Sequence, residues 1–92
     1  MNTLLISYDL GLPETYDDYK LLIQYIKSYP TWAKPLQSVW LIKTTKTSGQ
    51  VRDEIKTKID SNDKVLVIDV TKTGWASFNI SKDVTDWMKT NL

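Results

Sequence analysis

The chain contains no cysteine and no histidine among its 92 residues. It therefore has no disulfide, no thiolate nucleophile, no Cys/His zinc site and no imidazole base. It has only three glycines, and no Gly-rich phosphate loop is present. Twelve basic against eleven acidic residues leave a net charge of +1, so no overall field attracts the chain to nucleic acid or to a membrane.

Long apolar runs are also absent. No stretch approaches the roughly 20 residues that a membrane-spanning helix needs, so we expect no membrane partner. The N-terminal apolar run is too short for a signal-peptide core, which favours a cytoplasmic location. At 92 residues the chain is long enough for one compact core, because a globular chain of this mass buries about 64% of its surface. We expect a single domain over residues 1–92, with a core at about 2–72 and a C-terminal extension at about 73–92.

The spacing of apolar residues predicts a regular series of elements. Two strong helices are expected, the second opened by a capping box of Thr47 with Gln50 and the first by a similar pair, Thr15 and Asp18. A weaker extended segment and a short helix capped by Ser81 follow in the extension. In chain order the expected elements are a strand at 3–9, a helix at 14–28, a short edge strand from 31, a strand at 38–44, a helix at 48–60, a strand at 64–71, an extended segment at 75–80 and a last helix from 81.

This order is that of the ferredoxin-like split βαβ arrangement, an α+β fold written βαββαβ. Both helices should cover one face of an antiparallel sheet. The strands are apolar on both faces, however: Leu4 and Ile6 oppose Leu5, and Leu66 and Ile68 oppose Val65 and Val67. Something must cover the second face. The candidates are the extension, a second copy of the chain, or both, and we expect a homodimer.

Carboxylates are the metal-binding side chains that remain once cysteine and histidine are excluded. Asp9 closes an apolar strand just before a loop, a position where side chains often line a site. One carboxylate per chain suits Mg²⁺ only if two copies meet, and the residues alone favour the alternative that Asp9 caps the following turn or the first helix. Asp69, the other carboxylate inside a strand, should lie at the opposite end of the sheet from Asp9.

Aromatic and basic residues permit a second interpretation. Four tryptophans and five tyrosines are present, and such rings stack on bases in some proteins. Most of them follow the spacing of buried faces, which favours packing in the core, and Trp32 between two prolines is the hardest to assign. Arg52 is the only arginine and the only side chain that binds a phosphate through a two-pronged guanidinium. The lysines alternate with acids, as is typical of a solvated surface.

Two short motifs carry a family resemblance. The first strand ends in Tyr-Asp-Leu at 8–10, and Leu-Gln-Ser-Val-Trp at 36–40 enters a later strand. With the order of elements over about residues 2–72, these motifs resemble the small CRISPR-associated Cas-two proteins, whose relatives include the VapD toxins and uncharacterised bacterial proteins. The chain departs from this family after Asp9, where the usual basic residues are replaced by residues 11–15, and at Trp40, where phenylalanine is usual.

The resemblance implies a ferredoxin-like homodimer associated with RNA or DNA. It further implies metal-dependent phosphodiester cleavage, with Asp9 of both subunits as catalytic residue and Mg²⁺ ligand and with Ser38 positioning water or phosphate. On this basis Tyr8, Lys43 and Arg52 are the candidate nucleic-acid-binding residues. Other family members are non-catalytic dimeric scaffolds, so an integrase or an antitoxin-type protein is the expected protein partner.

Overall fold

A computed structural model of the chain describes residues 1–11 and 16–92. In this part of the chain four strands and three helices follow one another. They are β1 (Asn2–Asp9), α1 (Tyr16–Lys27), β2 (Trp32–Leu36), β3 (Val39–Thr44), α2 (Ser48–Lys56), β4 (Lys64–Asp69) and α3 (Lys82–Asn91). None of the helices in residues 16–92 combines the length and the apolar character that crossing a membrane requires.

The four strands form one antiparallel sheet in the order β2-β3-β1-β4. The two central strands, β1 and β3, each pair on both sides, and Ile6 of β1 lies between Trp40 of β3 and Val67 of β4. The two helical connections therefore interleave as the split βαβ pattern predicts. The predicted α+β class is confirmed, and the short proline-containing strand β2 lies at the edge, as expected.

One face of the sheet, the helix face, is covered by α1 and α2. The apolar stripe of α1 contributes Leu22 and Ile26 to the core, and that of α2 contributes Val51 and Ile55. The alternation of strand side chains brings every second residue of β1 to this face. The buried residues of this core are Leu4, Ile6, Tyr8, Leu10, Leu22, Ile26, Tyr29, Trp40, Ile42, Val51 and Ile55.

The opposite face, the tail face, is covered in part by residues 73–92. Leu5 of β1 and Leu41 of β3 are direct neighbours on this face, and Leu41 is buried. The Thr3 hydroxyl donates to the carbonyl of Asn91 at the end of α3, and the Trp87 indole donates to the Thr31 hydroxyl at 2.7 Å. A cavity of about 290 Å³, lined mostly by apolar side chains, remains between the tail and the sheet.

Three local predictions need comment. The helix predicted at 48–60 ends at Lys56, because Thr57 caps it and donates its hydroxyl to the Glu54 carbonyl at 2.7 Å. Residues 75–80, expected to be extended, form no strand; φ is positive at Asn79 (60°) within this segment and at Lys72 (57°) just before it. The predicted beginning of the first helix and its capping pair at Thr15 lie outside the described residues.

A polar cluster joins the two core helices at their exposed margin. Lys46 donates to the Glu54 carboxylate at 2.9 Å, and the Tyr25 hydroxyl donates to the same carboxylate at 3.2 Å. Tyr25 and Tyr29 share a hydrogen bond of 2.6 Å between their hydroxyls. Burial, with the Tyr29 hydroxyl close by, raises the pKa of Tyr25 well above its ordinary value. The hydrogen bond from Lys46 lowers the pKa of Glu54 against a smaller opposing effect of burial.

The lowered pKa of Glu54 predicts an acid-dependent loss of stability. Because the carboxylate has a lower pKa in the folded chain, it stabilises the fold above its unfolded pKa of about 4.3, and this contribution is lost as the pH falls through the folded value. We expect the free energy of unfolding to fall less steeply between about pH 5 and pH 3 in Glu54→Gln than in the wild type. Urea denaturation at each pH measures the free energy of unfolding. Lys46→Gln should flatten the dependence in the same way, and parallel curves for all three proteins would contradict the assignment.

Candidate functional site

Asp9 lies exposed at the carboxyl end of β1, on the tail face of the sheet. The register places it directly opposite Lys64, the first residue of β4. Together with Ser7 and Leu66 these residues line a shallow groove of about 210 Å³. The Asp9 carboxylate is therefore exposed at a strand end, beside the cation of Lys64.

Ser38 lies in the turn that joins β2 to β3, next to the same end of β1. Its carbonyl accepts a hydrogen bond from the Tyr8 backbone N–H at 3.4 Å. The paired register of β1 and β3 ends at Ser7 and Val39, so Ser38 follows directly at this end of the two strands. The structure therefore places the Ser38 backbone beside Tyr8, the residue before Asp9.

Tyr8 is buried on the helix face rather than presented beside Asp9. Its hydroxyl accepts a hydrogen bond from the Trp40 indole at 3.2 Å, and its ring meets that of Tyr19 edge to face with centroids 6.3 Å apart. Both the hydroxyl and the ring of Tyr8 are therefore engaged inside the fold. Stacking of a base on Tyr8 would require this part of the core to open.

Lys43, the second predicted nucleic-acid contact, lies at the other end of the sheet. Its ammonium donates to the carbonyl of Asn91 at 3.0 Å. A cation at the carboxyl end of a helix compensates the partial negative charge of the last carbonyls. Lys43 therefore helps to dock α3 on the tail face, and a phosphate would compete with this contact.

Arg52, the third, is exposed on α2 and bonded to Asp53 at 3.0 Å. It lines a surface cleft of about 710 Å³ together with Lys56 one helical turn later and Lys64 at the start of β4. Lys64 also lines the groove at Asp9, so the cleft and the groove adjoin. The sequence predicts a solvated surface position for Lys56. The i, i+4 spacing of Arg52 and Lys56 was visible, but their proximity to Lys64 depends on how α2 packs against β4.

The loop after β1 is fixed by the turn that precedes β4. The Asp63 carboxylate accepts hydrogen bonds from the backbone N–H groups of Gly11 and Asp60, both at 2.7 Å. Asp60 and Asp63 also line the cleft, but the Asp63 carboxylate is committed to these backbone donors. The main chain just beyond Asp9 is thus held by an acid from a distant turn.

A metal ion at Asp9 would need ligands from outside this chain's described residues. Within residues 1–11 and 16–92 no three carboxylates lie close enough to hold a metal ion. Asp69 is opposite Leu4, five residues from Asp9 along β1, and accepts two hydrogen bonds from Thr71 that lower its pKa. The chemistry of the Asp9 carboxylate suits Mg²⁺, which binds proteins through one or two carboxylates with waters or phosphates as its other ligands.

Comparison with known proteins finds no family model and no curated protein that matches the chain.

The close packing at Gly11 gives a test of the Asp9 loop. A Cβ atom at Gly11 would lie 2.6 Å from the Asn62 amide nitrogen and 2.8 Å from the Asn62 backbone oxygen. We expect Gly11→Ala to lower the free energy of unfolding by about 1–3 kcal/mol, because the loop before β4 must move. Urea denaturation measures the change. Gly74→Ala is the control, since no heavy atom lies within 4 Å of its added Cβ. Equal effects of the two substitutions would contradict the described loop packing.

Proposed function

We propose that the chain acts as a homodimer that binds and cleaves nucleic acid, with the two Asp9 carboxylates brought together where the copies meet. One observation carries the proposal. Asp9 lies on the same face of the sheet as Leu66 and Ile68, which are 58% and 44% exposed. The apolar surface that a second copy would cover is therefore adjacent to Asp9, the carboxylate that needs a second carboxylate beside it to hold a metal ion.

The cross-strand pairs define this surface. Along the tail face, Asp9 pairs with Lys64, Ser7 with Leu66, and Leu5 with Ile68. The tail is hydrogen-bonded at the opposite end of β1, at Thr3, and leaves the Asp9 end open. Covering an exposed leucine or isoleucine contributes about 1.5–3 kcal/mol for each side chain. A second copy packed face to face would cover Leu66 and Ile68 in both protomers.

Symmetry explains why one carboxylate is enough. In a two-fold interface each residue near the axis meets its own copy. Asp9 at the end of the exposed row would thereby supply two carboxylates to one Mg²⁺. Bound there, Mg²⁺ would supply a Lewis acid for the phosphate and an activated water for the attack. The exposed Ser38, on the turn before β3, would orient water or phosphate at the same end of the sheet.

The cleft beside Asp9 provides a path for a phosphate backbone. Arg52, Lys56 and Lys64 contribute three cations to it, next to the carboxylates of Asp60 and Asp63, and Lys64 reaches the groove at Asp9. Single strands are held by such grooves through their phosphates. The overall charge of +1 does not reveal this clustering.

The exposed Leu66 and Ile68 predict which substitution disrupts the dimer. Leu66→Lys should convert the wild-type dimer to a monomer, because a buried ammonium at the centre of the interface would be unpaired. Leu21→Lys is the matched control, since Leu21 is a leucine 54% exposed on α1 and faces away from the tail face. Sedimentation velocity measures both. A monomeric wild type, or equal loss of the dimer in the two variants, would refute the proposed interface.

The metal site predicts a loss of cleavage. Asp9→Asn should lower cleavage of labelled RNA or DNA in Mg²⁺ or Mn²⁺ at least about 100-fold, the scale for losing a group that stabilises transition-state charge. Dimerisation should persist. Asp86→Asn on the exposed face of α3 is the control. Activity that survives in Asp9→Asn, or that needs no divalent ion, would eliminate the proposed centre.

A non-catalytic dimeric scaffold is the second candidate. Apolar exposure favours it, because Phe78 is 85% exposed in the tail, beside none of the proposed catalytic groups. In that case the dimer would bind a protein partner of the integrase or antitoxin type. A wild type that dimerises but leaves every RNA and DNA substrate intact would assign the chain to this class.

A further inference from the structure

A second basic and aromatic surface lies far from Asp9, at the β2 edge of the sheet. Trp32, the first residue of β2, is 38% exposed. In the register it is two strands away from Leu4, and Leu4 is five residues from Asp9. With about 4.8 Å between strands and about 3.4 Å per residue, Trp32 and Asp9 are about 20 Å apart. This surface is therefore not part of the proposed catalytic site.

Two lysines accompany the exposed indole. The Lys27 ammonium, at the end of α1, lies 5.2 Å from the centroid of the Trp32 ring. The Lys34 ammonium, on β2, lies 5.0 Å from the ring centroid of Trp40, which packs against Trp32 with centroids 5.5 Å apart. Neither Lys27 nor Lys34 belongs to the ion pairs found among residues 1–11 and 16–92. The positive charges of these two ammonium groups can therefore attract an anion.

A groove of about 330 Å³ opens beside the indole. It is lined by Trp32 and Lys34 on β2 and by Ser81, Asp83 and Trp87 at α3. Trp87 is held in place by its hydrogen bond to Thr31, and the Asp83 carboxylate accepts from the Ser81 hydroxyl, which lowers its pKa. The groove therefore has two aromatic walls, one cation and one acceptor that is ionised at neutral pH.

We propose that Trp32, Lys27 and Lys34 form a stacking platform for single-stranded nucleic acid. The inference rests on the proposed function, because it names the second surface on which the same substrate lies. A base would stack on the exposed part of Trp32 in the groove, and the two ammonium groups would contact the phosphates beside it. Aromatic rings bind any base through its flat face, and lysines neutralise the backbone charge, so the platform prefers single strands without reading sequence.

An acidic protein segment is the other class of anion that two lysines attract. The exposed indole decides for nucleic acid. A carboxylate chain would contact only the two ammonium groups, whereas a base would also stack on the part of the indole that remains exposed.

Fluorescence anisotropy with labelled 15-nucleotide RNA and DNA tests the platform, with full-length protein in which Asp9→Asn prevents cleavage. Trp32→Ala should weaken binding about 5- to 100-fold, the scale for losing one stacked base, and Trp32→Phe should retain most of the affinity. The double variant Lys27→Gln, Lys34→Gln should reduce the slope of log affinity against log salt by about 1.4. The double variant Lys58→Gln, Lys89→Gln removes the same charge from exposed positions elsewhere and is the control.

The outcomes separate this inference from the function on which it rests. Oligonucleotide binding that is insensitive to Trp32, or lowered equally by the control double variant, overturns the platform and leaves the Asp9 site standing. Competition by polyphosphate that is as strong as competition by oligonucleotide, with no effect of Trp32→Ala, reassigns the surface to acidic polymers in general and also overturns it. If the wild-type chain binds no oligonucleotide, both proposals fail. Because Trp32→Ala removes the packing contact with Trp40, the lysine variants and Trp32→Phe provide the readout on folded protein.

Discussion

The alternation of side chains along β1 is the constraint on which the rest of the structure depends. β1 is hydrogen-bonded to a strand on each side, so its register fixes both faces of the sheet at once. Leu4, Ile6 and Tyr8 belong to the core under the helices, while Leu5 and Asp9 belong to the opposite face. A shift of one residue would bury Asp9 and expose Ile6. The candidate site thus exists because the core on the other side of the same strand is fully packed.

The fold was predictable because its signals are local. The apolar period of α1, the capping box of α2 and the β-branched run of β4 each determine an element within a few residues. The end of α2 was not predictable from the spacing of its own apolar residues. Ile59 continues the spacing of a helix, and it does pack against the core, but it does so from a turn after Thr57 has already ended the helix. The segment expected to be extended at 75–80 joins no sheet: it lies over the tail face, where it lines the cavity, rather than along a sheet edge.

The candidate site was predictable to the extent that it lies on β1 and on the turn before β3. The position of Ser38 beside the end of β1 follows from antiparallel pairing of two strands that the sequence identifies. The burial of Tyr8 follows from the same alternation that exposes Asp9. The engagement of Lys43 with the end of α3, and the meeting of Arg52 with Lys64, required knowledge of how the tail docks and how α2 packs on β4. Those are tertiary contacts between distant segments, and no local pattern encodes them.

The edges of the sheet argue for face-to-face rather than edge-to-edge association. An exposed edge strand is a template for pairing with another chain, and charged residues or proline on it prevent that pairing. The β2 edge carries Lys34 and Pro35, and the β4 edge begins with Lys64 and ends with Asp69. Both edges are therefore protected, while Leu66 and Ile68 remain exposed between the charged ends of β4. In the proposed homodimer, face-to-face packing would cover these two residues without pairing a protected edge, and it would also bring Asp9 to its own copy.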